Sequence, residues 1–264
     1  MKQFFKYVLA TIVGMLCLGA VVSIFSFVMM GIIIAADSAK PSVKEGTVLR
    51  ISLNGSINER TVDNPFTNLF NSDATKTQGL DDILKAIKVA KNNKNISGIY
   101  LEGGALSADY ATAQELRRAL LDFKKSKKFV LAYGDNYEQG SYYVASVADK
   151  LLINPNGMIA WHGIASQPIF YTDLLKKVGV KMQVFKVGTY KSAVEPFILT
   201  SMSDANREQV SAFVGDIWKN VCKDVAASRK ISVESLNAYA DNYATFAEPK
   251  QYVTNHLADA LVYA

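Results

Sequence analysis

Apolar residues fall along this chain in rhythms that change from one stretch to the next. From Tyr7 to Ala36 no charge interrupts them, a run long enough for a helix to cross a bilayer with some tilt. Past a polar linker over residues 37–46, short apolar runs alternate with helical spacings, the rhythm of an α/β domain on a largely parallel sheet. Thr47 to Leu53 predicts a strand ended by Asn54-Gly55, and residues 57–79, rich in Asn, Asp and Thr, predict a long exposed loop. Leu80, Ile83, Leu84, Ile87 and Ala90 share a helical face, and Ile96 to Leu101 predicts a buried strand stopping at Glu102-Gly103-Gly104. The unit then repeats in kind. A helix is predicted over 110–125 and a strand over 129–133; residues 134–140 turn into a helix near Ser141, and a short strand follows at 151–153. Further on, a helix is predicted over 168–178, a strand over 182–187, and helices over 204–229, 233–242 and 247–257.

Charge gives this pattern a direction. Lys2 and Lys6 precede the apolar run, so the positive-inside bias puts the N-terminus in the cytoplasm and everything after Asp37 on the outer face. A cleavable signal peptide has a shorter apolar region, about 7 to 15 residues. The organisation expected is a cytoplasmic N-terminus (1–6), a transmembrane anchor (7–36), a linker (37–46) and a folded domain (47–264). In a two-membrane bacterium that places a single-pass protein in the inner membrane with its domain in the periplasm.

Other compositional features exclude more than they suggest. Half of the residues are apolar, enough for a sizeable core. The remaining cations are scattered among acids, which argues against a nucleic-acid surface. Lys124, Lys125, Lys127 and Lys128 close a helix where cations suit its dipole. Cys17 and Cys222 are too far apart in pattern to suggest a disulfide framework, and both read as packing residues. His162 and His256 lack ligand spacing, so no metal or other cofactor is expected.

The segment richest in chemistry is Gly188-Thr189-Tyr190-Lys191-Ser192-Ala193-Val194-Glu195-Pro196-Phe197, with Ser203-Asp204-Ala205-Asn206-Arg207-Glu208 shortly after. A lysine among small and apolar neighbours, just beyond a buried strand, is expected to be desolvated, which disfavours its ammonium form. A neutral amine can take the proton of a serine hydroxyl as that oxygen attacks a carbonyl, with no histidine involved. On spacing alone, a single lysine is far more often a surface residue.

The run from Gly188 to Glu208 resembles the lysine segment of the signal peptide peptidase A family in its long, two-repeat form. The stretch Tyr133-Gly134-Asp135-Asn136-Tyr137-Glu138-Gln139-Gly140-Ser141-Tyr142-Tyr143, the turn Asn154-Pro155-Asn156-Gly157 and the pair His162-Gly163 resemble that family's N-terminal repeat. The resemblance implies a ClpP/crotonase-like α/β fold with an N-terminal transmembrane helix. It implies that Lys191 is the general base of a serine/lysine endopeptidase, and that the nucleophilic serine lies in a C-terminal repeat missing beyond Leu261-Val262-Tyr263-Ala264. The implied substrates are cleaved signal peptides, the implied partner surface is the membrane, and the implied complete assembly is a homotetramer.

Shorter relatives open the corresponding helix with a serine and two glycines, where this chain has Gln139, which cannot attack a carbonyl. Ser141 is nearby but reads as a first-turn hydroxyl satisfying the helix end. Gly103 and Gly104 read as a structural turn before an oxyanion hole. Ser192 is read either as orienting the Lys191 amine or as a plain turn hydroxyl, and Glu195 as a surface or helix-capping residue. Trp161 and Trp218 read as core. Two further readings remain: a noncatalytic, membrane-tethered peptide-binding or assembly scaffold, and an acyl-CoA enzyme that shares only architecture.

Overall fold

The computed structural model describes residues 2–37, 43–61 and 78–264, with side chains in the first stretch limited to 3–30. It divides into two compact units, Met1–Lys44 and Glu45–Ala264. The first is dominated by one helix, α1 (Lys2–Asp37). Within it, Gln3–Met30 is long and apolar enough to cross a membrane.

The second unit is built on a five-stranded sheet. Its strands are β1 (Thr47–Ser52), β4 (Ile96–Glu102), β6 (Phe129–Tyr137), β7 (Lys150–Ile159) and β8 (Ala260–Leu261), in that spatial order and parallel throughout. Short strands β2 (Gly55–Asn58), β3 (Gln78–Gly79) and β5 (Leu106–Ser107) pair separately in the order β3-β2-β5. The α/β class with a parallel sheet, as expected, is the class observed.

Register explains the core. Ile51, Leu101, Ala132 and Leu151 stand in line across four strands, and all are buried. Their neighbours one residue back, Arg50, Tyr100, Leu131 and Lys150, line the opposite face, which stays partly open. This is the alternation that a period of two imposes. Helices α2 (Leu80–Asn92), α3 (Tyr110–Lys124) and α4 (Gln139–Ala145) connect the successive parallel strands. α2 packs on α3, and α3 on α4, so Ile87, Leu116, Leu120, Phe123 and Val144 fill the interior.

Several predicted elements are revised. Ile57 is buried in β2, so the exposed loop predicted from it does not begin there; residues 62–77 of that loop lie outside the described residues. β6 continues through Gly134 to Tyr137, and helix α4 therefore starts at Gln139. β7 runs through Pro155 to Ile159, and its register against β6 slips between Gly134 and Asn136. A Cβ on Gly157 would lie 2.0 Å from the Asp135 carbonyl oxygen, so only glycine lets the strands approach at that slip.

The predicted helix over 168–178 shortens to α5 (Thr172–Lys177). Residues 182–187 form no strand; they run irregularly, with Phe185 87% and Val187 89% exposed. Beyond them lie a 3-10 turn (Ser192–Val194) and helices α6 (Glu195–Ile198), α7 (Asp204–Arg229), α8 (Val233–Asp241) and α9 (Pro249–Thr254). Trp161 is fully buried, donates from Nε1 to the Leu236 carbonyl at 2.8 Å and packs against Trp218. Cys222 is buried as well, where burial pushes its thiol up to about 11.

Candidate active site

In parallel sheets, ligands bind beyond the carboxyl ends of the strands. Here those ends bring together Glu102-Gly103-Gly104 after β4, Glu138-Gln139 after β6, and Trp161-His162-Gly163 after β7. The backbone interlocks them. Gly103 N–H donates to the Tyr133 carbonyl at 2.7 Å, and Glu138 N–H to the Gly104 carbonyl at 3.3 Å. A Cβ on Gly103 would meet the Tyr137 ring at 2.3 Å, so glycine is needed there for chain packing. With its amide spent on the sheet, Gly103 fits the structural turn expected of it.

Gln139, which the resemblance set against the serine of shorter relatives, is the first residue of α4. Both ends of its amide are engaged: Nε2 donates to the Gly163 carbonyl at 3.0 Å, while Oε1 accepts from the amides of His162 and Gly163 at 3.1 Å each. The side chain therefore ties the start of α4 to the loop leaving β7. Ser141 is buried and donates to the carbonyls of Gly104 at 2.6 Å and Glu138 at 2.9 Å. A hydroxyl shared in that way is a structural group.

Lys191 stands apart from this cluster of strand ends in the sequence. It is exposed and precedes the 3-10 turn that opens at Ser192. The dry surroundings expected of it are not present in the chain by itself, because residues 182–187 supply no buried strand beneath it. Among the described residues, no hydrogen bond joins Ser192 to the Lys191 amine. Val180, Met182, Phe185, Val187 and Tyr190 are all exposed on the segment that leads to it.

What does hold the lysine segment was not foreseen. Glu195, read from sequence as surface or capping, is 1% exposed. Its carboxylate accepts from the Ser203 hydroxyl at 2.6 Å, the Ser203 amide at 3.2 Å and Asn206 Nδ2 at 3.0 Å. The Ser203 hydroxyl hydrogen bond, followed by burial acting in the opposite sense, leaves the Glu195 carboxyl below its ordinary range. Ser203 is itself the N-cap of α7, accepting from Asn206 N–H. The sequence signal was the serine at the helix start; which acid would reach back to it was not visible.

The model for "Peptidase family S49" matches residues 122–264. The chain belongs to peptidase family S49. Among curated relatives, the chain is 41% identical to "Protease 4" of Salmonella typhi over 197 residues, covering 72% of this chain and 32% of that protein. It is 29% identical to "Serine protease SPPA, chloroplastic" of Arabidopsis thaliana over 197 residues, covering 74% of this chain and 28% of that one. The chain thus spans about a third of the length of these relatives. A solved membrane-bound stomatin-specific protease aligns with a TM-score of 0.45 at 12% identity, covering 83% of this chain and 80% of that one. The resemblance to signal peptide peptidase A, drawn from motifs in the S49 segment, holds.

Proposed function

We propose that this chain is the lysine-bearing portion of a membrane-anchored serine/lysine endopeptidase that degrades cleaved signal peptides, with Lys191 as general base. The nucleophilic serine is supplied by a second repeat outside this sequence. The observation that carries the reading is the contrast between two positions. Gln139 stands at the strand-end position with both ends of its amide tied to the loop after β7, and Lys191 stands exposed at the end of a segment of uncovered apolar side chains. A second repeat packing over that segment would exclude water from the amine, and burial of an amine favours its uncharged form.

In that assembly, neutral Lys191 accepts the serine proton as the oxygen attacks the peptide carbonyl. The protonated amine then gives its proton to the departing nitrogen. A water molecule, deprotonated by the same amine, attacks the acyl-enzyme and releases the second product. The apolar helix α1 supports anchoring in the membrane, and Lys2 and Lys6 support an outward-facing domain. Tethering keeps the site near peptides that remain in or beside the bilayer. A homotetramer is the assembly proposed for the complete protein.

The test is co-expression of this chain with a serine-bearing C-terminal repeat, followed by a peptide cleavage assay. Cleavage is expected, and Lys191→Ala is expected to lower kcat by about a thousand-fold or more. Peptide binding without cleavage, unchanged by Lys191→Ala, points instead to the noncatalytic scaffold.

A further inference from the structure

Lys191 must be held at one place to exchange a proton with a hydroxyl on another polypeptide segment, yet its own segment joins no sheet. Among the described residues, 179–187 have no strand partner, and the turn that begins at Ser192 contains three residues. The turn is instead fastened on both sides to the start of one long helix. Before the lysine, Tyr190 Oη donates to Glu208 Oε2 at 3.0 Å. After it, the buried Glu195 carboxylate takes three hydrogen bonds from Ser203 and Asn206. Both anchors lie within the first turns of the 26-residue helix α7 or at its N-cap.

A second set of links holds α6, the short helix that follows the turn directly. Tyr171 N–H donates to the Pro196 carbonyl at 2.7 Å, Thr172 Oγ1 donates to the Leu199 carbonyl, and the Tyr171 and Phe197 rings stack. Glu195 is the centre of the arrangement, because burying a carboxylate is costly unless its oxygens are satisfied, and here both are. Its charge is directed at the N-terminal end of α7, where a negative group is favoured.

We infer that Glu195 is a positioning residue for Lys191: it clasps the lysine turn to the N-terminus of α7 and thereby fixes where the amine can meet its partner hydroxyl. The inference rests on the proposed role of Lys191 as base. Glu195 touches neither substrate nor the reacting atoms. Small displacements of a reacting group can cost about a hundred-fold in rate, so the clasp acts on turnover rather than on peptide binding.

Two measurements test it, one of them independent of catalysis. In the intact chain, amide hydrogen exchange is followed across residues 188–203 for wild type, Glu195→Ala, Glu195→Gln and Ser203→Ala. Loss of the clasp is expected to speed exchange in 188–194 about ten-fold or more, while β4 and β6 keep wild-type protection. Unchanged exchange there in a folded Glu195→Ala or Ser203→Ala chain overturns the clasp. In the complete protein, Glu195→Ala is expected to lower kcat about ten- to a hundred-fold with KM within about two-fold. Glu195→Gln, which keeps one acceptor oxygen, is expected to recover part of that loss. A wild-type kcat in the folded Glu195→Ala enzyme overturns the positioning role. If Lys191→Ala itself leaves cleavage intact, the base assignment fails and kcat no longer reports on the clasp, which the exchange measurement then decides alone.

Discussion

A carboxylate is an expensive group to bury, and Glu195 is buried because the start of α7 offers it donors. Its folded-state carboxyl lies below its ordinary range, first through the Ser203 hydroxyl. The ionised form therefore adds stability above the unfolded value, which is about 4.3 for a free glutamate, and that stability disappears as pH falls through the lower folded value. The urea midpoint of wild type is accordingly expected to fall more steeply between about pH 5 and pH 3 than that of Glu195→Gln, which has nothing to titrate at that position. Parallel curves for the two proteins would remove the carboxylate from the stability of the turn. The motif around Lys191 made the lysine legible in the sequence. The burial of Glu195 was not legible, because its donors sit eight and eleven residues further along and only the folded turn brings them back.

Helices were read more accurately than strands, for a local reason. Asp109, Ser203 and Ser232 each accept from a backbone amide three residues on, so their helices begin where short-range chemistry says they should. A strand needs a neighbour, and periodicity does not supply one. Thus Met182, Val184, Phe185 and Val187 look like a strand yet pair with no strand among the described residues, while β6 outruns its prediction because β7 continues beside it through Met158 and Ile159. Arg117, a buried cation with no local signal in the sequence, joins three helices. From α3 it donates to the Tyr143 carbonyl and the Ser146 hydroxyl at the end of α4, and to the Asp224 carbonyl and the Ser228 hydroxyl of α7. Desolvation lowers the pKa of its guanidinium, against the pull of Tyr143 and Asp224. Arg117→Ala strands these acceptors and is expected to cost about 3 kcal/mol in urea unfolding.

At the scale of the molecule, the folded unit keeps one well-packed side and one uncovered segment. The packed side was readable from the apolar faces of the first two domain helices. The uncovered segment was not, because apolar residues left exposed carry the same signal as apolar residues that are buried. Phe185→Asp separates the two situations. It is expected to shift the unfolding free energy of this chain by less than about 0.5 kcal/mol, yet to weaken association with a serine-bearing repeat about ten-fold or more, measured by sedimentation of the mixed proteins. A large loss of stability in the isolated chain would mean that Phe185 already packs within it.

The outer strand of the sheet has a bearing on how the protein is made. Leu151 donates its amide to the Asp259 carboxylate across 108 positions, and Asp259 N–H donates to the Leu151 carbonyl in return. While the chain is still being synthesised, β7 must therefore wait with a bare edge until those distant residues emerge. Non-local pairings of this kind fold slowly and leave sticky edges open in the meantime. The growing polypeptide is most exposed to misassembly during that interval, and it is then that a chaperone would have the most to protect.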